Sequence, residues 1–315
     1  MKLLRIVPDD TTFKFMRFRR MSFPFSAVLS IVSVLLFFLV GLNVGIDFTG
    51  GTSVEMRAKS GKADIALLRE RVGAMNFGDV EIQQFGSAAD VLVRVQLQPG
   101  GDAAQKPVTD ALRSAFSSDY DFRLVESVGP RVSGELVANG ILGVLLSVLI
   151  ILAYLWFRFE WHFALGAVIA TLHDLVLTVG FFAATQLEFN MTSIAAILTI
   201  VGYSVNDTVV VYDRIRELLR KYKRMPIHEL LDLSMNSTLT RTVITSATTM
   251  LALIALAFFG GPVIRSFCVS LLFGVIIGTY SSIFIAAPVL IYLGAKIGTD
   301  AQQQTDAEAA VKAKA

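Results

Sequence analysis

Asp207 is a carboxylate inside an apolar stretch, Gly202-Tyr203-Ser204-Val205-Asn206-Asp207-Thr208-Val209-Val210-Val211-Tyr212-Asp213-Arg214. An ionised side chain at bilayer depth costs at least ~2.5–3.5 kcal/mol, so such residues usually face a partner or a water path. Arg241, near the start of the next apolar stretch, is the expected partner. Asp207 lies seven residues before Arg214, roughly 10 Å along a helix, and Arg241 lies nine residues after Asp232, about 13 Å. Antiparallel neighbours would therefore hold the two at similar depth. An arginine favours the ionised carboxylate while burial opposes it. A group caught between these effects gains and loses a proton as the pair closes and opens. The same residues also fit a static buried ion pair.

Around this pair the helical period gathers hydroxyls. Arg241, Thr245, Thr248 and Thr249 share one helix face, with Thr242 and Ser246 beside it. Ser204, Asp207 and Val211 share another, with Tyr203 and Asn206 adjoining. These groups suit a hydrated seam carrying a proton, with the Ser/Thr contacts that join membrane helices as the alternative. His173-Asp174 is a second candidate, as a relay or as a structural hydrogen-bonded pair. Asp213 and Arg214 read as a solvated edge.

The elements that must position these residues are membrane spans. The chain of 315 residues is 54% hydrophobic and 17% charged, with mean hydropathy +0.62. Six apolar runs reach the ~20 residues that a helical crossing needs: Met21–Ile46, Leu136–Phe157, Phe163–Gln186, Phe189–Tyr212, Thr242–Ile264 and Ser266–Ala295. The first is too long for a cleaved signal peptide and reads as a signal anchor. Lys and Arg concentrate in the N-terminal segment (Lys2, Arg5, Lys14, Arg17, Arg19, Arg20) and after the fourth run (Arg214 to Arg224). By the positive-inside rule both termini are cytoplasmic. The segment after the first span lies outside, the periplasm in a Gram-negative cell. Phe13–Arg20 interleaves aromatic and basic residues, a pattern for an interfacial helix on anionic lipid rather than for nucleic acid.

The expected organisation is a basic cytoplasmic segment (1–22), a first span (23–45), an external domain (46–132), spans two to six (133–296) with a cytoplasmic loop at 213–238, and a disordered tail (297–315). The external part reads as strand Thr52–Arg57, helix Lys62–Met75, strands Asp79–Phe85 and Asp90–Gln98, helix Ala103–Phe116 and strand Asp121–Val128. This β-α-β-β-α-β order predicts a ferredoxin-like α+β domain. Pro226–Ser237 reads as a short amphipathic helix leading into the fifth span. The single cysteine, Cys268, allows no intrachain disulfide and no cysteine-rich metal site. No nucleotide-binding G-x-x-x-x-G-K-[ST] is present, nor a zinc-protease or serine-hydrolase motif. A gradient or a partner must supply any energy, and no enzyme activity is expected.

Gly45-Ile46-Asp47-Phe48-Thr49-Gly50-Gly51-Thr52, Glu188-Phe189-Asn190-Met191-Thr192, the stretch around Asp207 and Asn236-Ser237-Thr238-Leu239-Thr240-Arg241-Thr242-Val243-Ile244-Thr245-Ser246 resemble the motifs of the SecF family. These are bacterial protein-translocase subunits that work with SecD and fall in the RND superfamily. The resemblance spans the layout of six spans and one external domain. It implies a half-transporter in the inner membrane pairing with SecD beside the SecYEG channel, with YajC and YidC as further partners and an unfolded preprotein as substrate. It also implies protons as the coupling ion, with Asp207 and Arg241 on their path and no other cofactor. Two other readings remain: half of a small-molecule or lipid exporter, and a scaffold that transports nothing. Full-size exporters carry large soluble domains on both halves, whereas here one such segment follows the first span.

Overall fold

In the computed structural model, residues 11–84 and 86–294 are described. Lys2, Arg5, Phe85 and the expected disordered tail lie outside them. Among the described residues, six helices are long and apolar enough to cross a membrane. The first, α1 (Arg19–Leu39), follows a 3₁₀ turn at Phe15–Phe18. A short turn α2 (Ile46–Thr49) leads into the α/β region, and the next spans are α5 (Pro130–Arg158), α6 (Trp161–Thr185), α7 (Met191–Lys221) and α8 (Ile227–Phe259). The sixth runs from α9 (Gly261–Ser281) through a π-turn at Ser282–Ala286 into α10 (Ala287–Tyr292).

Two compact units result. The helical unit comprises the described residues up to Leu42, Leu146–Leu187 and those from Ala195 on, while the α/β unit comprises Asn43–Leu145 and Glu188–Ile194.

Helix α1 shows the logic of the helical unit. Its buried positions are Ser22, Ser26 and Ser33, while Phe25, Val28, Ile31, Leu35 and Phe38 are exposed. With lipid outside there is no gain from turning apolar groups inward, so small residues take the contacts and backbones approach closely. A Cβ on Gly180 of α6 would lie 2.3 Å from Ser33 Cβ. The helix ends at Leu39, short of the apolar run that continues to Ile46. Gly41, at φ +78°, lets the chain reverse, and its N–H bonds back to the Leu36 carbonyl at 3.2 Å.

At the other end of the bundle the helices outrun the apolar stretches. The expected loop 213–238 is mostly helix, since α7 continues to Lys221 and α8 starts at Ile227 as one rod containing Pro226's followers and the fifth span. The Phe13–Arg20 segment is not simply laid on lipid. Asp232 Oδ1 accepts from Met16 N at 2.9 Å, and Asn236 exchanges two bonds with the Phe13 backbone, at 2.9 and 2.8 Å. Met16 is buried against the core of the helical unit, leaving Phe13 and Phe18 exposed.

The α/β unit holds strands β1 (Gly51–Ala58), β2 (Val80–Gln84), β3 (Asp90–Val95) and β4 (Tyr120–Val128), with helices α3 (Ile65–Gly73) and α4 (Gln105–Phe116). The sheet order β2-β3-β1-β4 is antiparallel throughout, the split β-α-β arrangement that the element order predicts. Alternating Val91, Val93 and Val95 are fully covered by Leu68, Val72, Leu112 and Phe116 of the two helices. Helix α3 begins later than its periodicity suggests, because Asp64 caps it by accepting from Leu67 N at 3.0 Å.

The opposite sheet face carries charge. Arg57 Nε and Nη2 donate to both Asp90 oxygens at 2.6 and 2.7 Å, and this bidentate contact holds the Asp90 carboxyl down at about 2. Glu55 and Glu126 are pushed above the usual carboxylate range, first by burial and then by neighbouring carboxylates. The two shifts act oppositely on stability. As pH falls from neutral, Glu55 and Glu126 take up protons more readily folded than unfolded, so the domain gains stability. Below about 4, the ordinary Asp range, protonation of Asp90 removes the Arg57 contact and stability falls towards pH 2. Unfolding across pH 7 to 2 should therefore show a maximum in mild acid, and Asp90→Asn should flatten the acid limb.

Candidate functional site

Helix α7 starts where two side chains meet its free N–H groups. Asp47 Oδ2 accepts from Met191 N at 2.9 Å and Asn190 Oδ1 from Ser193 N at 3.2 Å. Two stretches far apart in sequence join here. Val44 bridges Phe189, Phe48 stacks on Phe189 with ring centroids 5.8 Å apart, and the Gly45 N–H donates to the Phe189 carbonyl at 2.8 Å. A Cβ on Gly45 would sit 2.6 Å from Glu188 Oε1 and 3.3 Å from Asn190 Cβ, so a larger residue there would have to displace the Glu188 side chain. Buried Arg94 ties the junction by donating to Asn43 at 2.8 Å and pairing with Glu188 at 2.5 Å.

Further along α7 the side chains turn from apolar packing to a layered set of buried polar contacts. In the first layer Tyr203 Oη donates to Ser246 Oγ at 3.1 Å, and Ser246 shares a 2.7 Å hydrogen bond with Thr279. In the second, Asp174 of α6 is completely buried. Its Oδ2 accepts from Ser204 at 2.5 Å and Ser281 at 2.6 Å, and its Oδ1 lies 2.9 Å from His173 Nδ1. In the third, Thr242 of α8 donates to Asp207 Oδ1 at 2.9 Å, while Thr208 and Ser282 hydroxyls lie 3.1 Å apart. Asp207 Oδ2 is buried and has no hydrogen-bond partner among the described residues. Tyr212 closes the sequence, fully buried and donating to the Ala286 carbonyl at 2.8 Å.

Small residues let these layers form. Gly278 of α9 faces Ser204, where an added Cβ would be 3.2 Å from Ser204 Cβ. That approach allows hydroxyls of α7 and α9 to reach one carboxylate. The π-turn has a cause in Pro288, which has no N–H for the Phe284 carbonyl. Ser22 of α1 supplies a donor instead, at 3.2 Å.

The expected site residues separate into two groups. His173, Asp174 and Asp207 are buried inside the helical unit, with Ser204, Thr242 and Ser246 around them. Arg241, Thr245, Thr248 and Asn206 are exposed on the outer faces of α8 and α7. Among the described residues no ion pair joins Asp207 to Arg241, which acts on the carboxylate only through its electric field. Thr242, the next residue, makes the contact instead. Thr245 and Thr248 turn their hydroxyls back to α8 carbonyls at 2.8 and 2.9 Å. Asp213 and Arg214 lie at the edge, paired with Arg158 at 2.8 Å and Glu217 at 2.6 Å. Ser281 and Ser282 were not among the sequence candidates. Two hydroxyls in an apolar run look like ordinary helix packing, and only Pro288 six residues on hints at an irregular turn.

Known proteins share this fold and its motifs. A family model described as "Protein export membrane protein SecD/SecF, C-terminal" matches residues 108–296, and a second, "SecD/SecF GG Motif", matches residues 35–62. The chain is 45% identical over 289 residues to the protein translocase subunit SecF of Rickettsia akari, covering 91% of this chain and 94% of that one. It is 46% identical over 308 residues to the protein translocase subunit SecDF of Brucella abortus, of which it spans 41%. The crystal structure of SecDF from Thermus thermophilus superposes with a TM-score of 0.82 at 35% identity, over 92% of this chain and 40% of that one. With its six spans, antiparallel α/β domain and matched motifs, the chain belongs to the SecD/SecF family of protein-export membrane proteins, as a SecF-type translocase subunit.

Proposed function

We propose that this chain, paired with a SecD-type half, couples inward proton movement through Asp207 to outward movement of an unfolded preprotein. The observation that carries the reading is the state of Asp207, a buried carboxylate with one oxygen held by Thr242 and the other without a hydrogen-bond partner among the described residues. An ionised group so poorly satisfied inside a membrane is costly, and a neutral one is not. Protonation is thus the change to which the site is most sensitive. Arg241, the residue before Thr242, lies about 100° round the helix from it and is exposed. When a group outside α8 draws Arg241 outward, the neutral acid is favoured. When α8 rotates Arg241 inward, the carboxylate is ionised and its proton released.

The exposed polar stripe supports a protein partner over lipid. Arg241, Thr245, Thr248 and Asn206 lie on spanning helices, and polar groups at that depth face protein or water. The Brucella abortus SecDF chain is more than twice as long as the matched region, room enough for a second half-bundle. The same reading puts both termini in the cytoplasm of a bacterial inner membrane, residues 46–132 in the periplasm, and the pair beside SecYEG with YajC and YidC. One charge crossing 100 mV is worth ≈ 2.3 kcal/mol, so a gradient near ~150 mV supplies about 3.5 per proton. That biases a two-state element a few hundredfold, enough for repeated small strokes.

The test uses inverted membrane vesicles holding a preprotein stalled in the channel after ATP is removed. An imposed proton gradient should complete translocation with the native chain and fail to do so with Arg241→Met, at equal levels of the complex. Because Arg241 is exposed and makes no ion pair among the described residues, methionine should not harm folding. Unchanged completion would leave a scaffold that transports nothing.

A further inference from the structure

We propose that His173 and Asp174 form a second proton-carrying site, linked to Asp207 through the adjacent hydroxyls of Ser281 and Ser282. The inference rests on the reading of Asp207 as the coupling carboxylate and extends it one helix deeper. Asp174 is the most enclosed acid in the helical unit, yet no Lys or Arg pairs with it among the described residues. Its Oδ2 accepts from two serines, and its Oδ1 shares a hydrogen bond with one imidazole nitrogen. The His173 side chain is also buried, and its Nε2 has no hydrogen-bond partner among the described residues. The two side chains therefore hold one proton between them. Its transfer from Asp174 Oδ1 to His173 Nδ1 across 2.9 Å makes a carboxylate and an imidazolium, and its return restores the neutral acid and neutral ring.

The groups facing this pair are few. From α7 come Ser204 and, one turn on, Asp207. From α9 come Ser281 and Tyr280, whose ring lies 6.3 Å from that of His173, and Tyr280 in turn bonds Ser26 of α1 at 3.0 Å. The serines are suited to switching. Ser281 Oγ reaches Asp174 at 2.6 Å and the Gly278 carbonyl at 3.1 Å, so its hydroxyl has a second acceptor when Asp174 takes up a proton. Ser282 likewise reaches Gly278 at 2.9 Å and Thr208 at 3.1 Å, and Thr208 is the residue after Asp207. Ser281 and Ser282 lie where the helix passes into its π-turn, an irregularity frequent at functional sites. A change of donor at Ser281 is therefore passed to Ser282, and through Thr208 to the turn of α7 that bears Asp207.

The decisive experiment is infrared difference spectroscopy against pH, on the chain in complex with its SecD partner in lipid. Two protonated-carboxyl C=O bands should titrate. Asp207→Asn should remove one and Asp174→Asn the other, while Ser281→Ala should move the midpoint of the Asp174 band by about one pH unit, tenfold in proton affinity. If Asp174→Asn fails to assemble, His173→Gln serves in its place and should shift that same band. A spectrum in which the Asp207 band titrates but neither Asp174→Asn, His173→Gln nor Ser281→Ala changes anything overturns this inference alone. Absence of a titrating Asp207 band, with the Asp174 band present, refutes the coupling role of Asp207 instead.

Discussion

Asp207→Asn should abolish gradient-driven completion of translocation while leaving the helical unit as stable as before, or more stable by up to about 2 kcal/mol. Asparagine keeps the shape of the side chain, and its carbonyl still accepts from Thr242, whose hydroxyl donates at 2.9 Å to Asp207. The buried Oδ2 that lacks a partner is replaced by a neutral amide. Relieving an unsatisfied buried group recovers roughly 1–3 kcal/mol, less the cost of any amide hydrogen left unbonded. Function responds differently, because an amide takes up no proton at any pH near neutral. The few-hundredfold bias that one proton supplies should vanish, and completion should fall to the rate seen with no gradient. The check is a pair of measurements on one preparation, thermal unfolding and stalled-chain completion. Parallel loss of both would mark Asp207 as a packing residue.

Gly51→Ala should cost the α/β domain about 3 kcal/mol or more and sharply lower its amount in the membrane. Gly51 begins β1 at φ +118°, a backbone region that side chains rarely enter. An alanine Cβ there would lie 2.4 Å from the Val95 carbonyl oxygen, a backbone atom of the neighbouring strand that cannot swing away. Strained backbone alone costs of order 1–3 kcal/mol, and the collision adds the parting of Thr52 from Val95 in the sheet. Gly61 is the control. It has φ +84° but open space around it, so Gly61→Ala should carry only the ~1–2 kcal/mol of left-handed backbone. Hydrogen exchange of the β1 and β3 amides separates the two cases. Equal protection in both variants would mean that the Val95 contact is not what requires glycine at 51.

The parts of the molecule that could be read from sequence are those with one physical solution. Runs such as Leu136–Phe157 are helical because lipid offers their backbone no other partner. Val91, Val93 and Val95 alternate because one sheet face is buried, and the order of elements then fixes a split β-α-β sheet. Asp207 stood out because ionisable groups are rare at such depth. Phase was harder. Periodicity put Arg241, Thr245 and Thr248 on one face and Thr242 with Ser246 beside it, but could not say which face meets α7. It is the second. The burial of Ser22, Ser26 and Ser33 in α1 was illegible for a related reason, since in a membrane the hydropathy pattern no longer points inward. The docking of Gly45 and Phe48 on Phe189, and the hold of Asp232 on Met16, depend on contacts across more than a hundred residues. No local pattern encodes them.

The central claim is that protons pass by way of Asp207 when a preprotein moves. The most direct measurement records both at once, in vesicles carrying the complex and an enclosed pH-sensitive dye, with a labelled preprotein stalled in the channel. On imposing the gradient, the native chain should admit protons in step with movement of the preprotein, and Asp207→Asn should show neither. Equal proton entry in the two, or preprotein movement in Asp207→Asn at the native rate, would contradict the account.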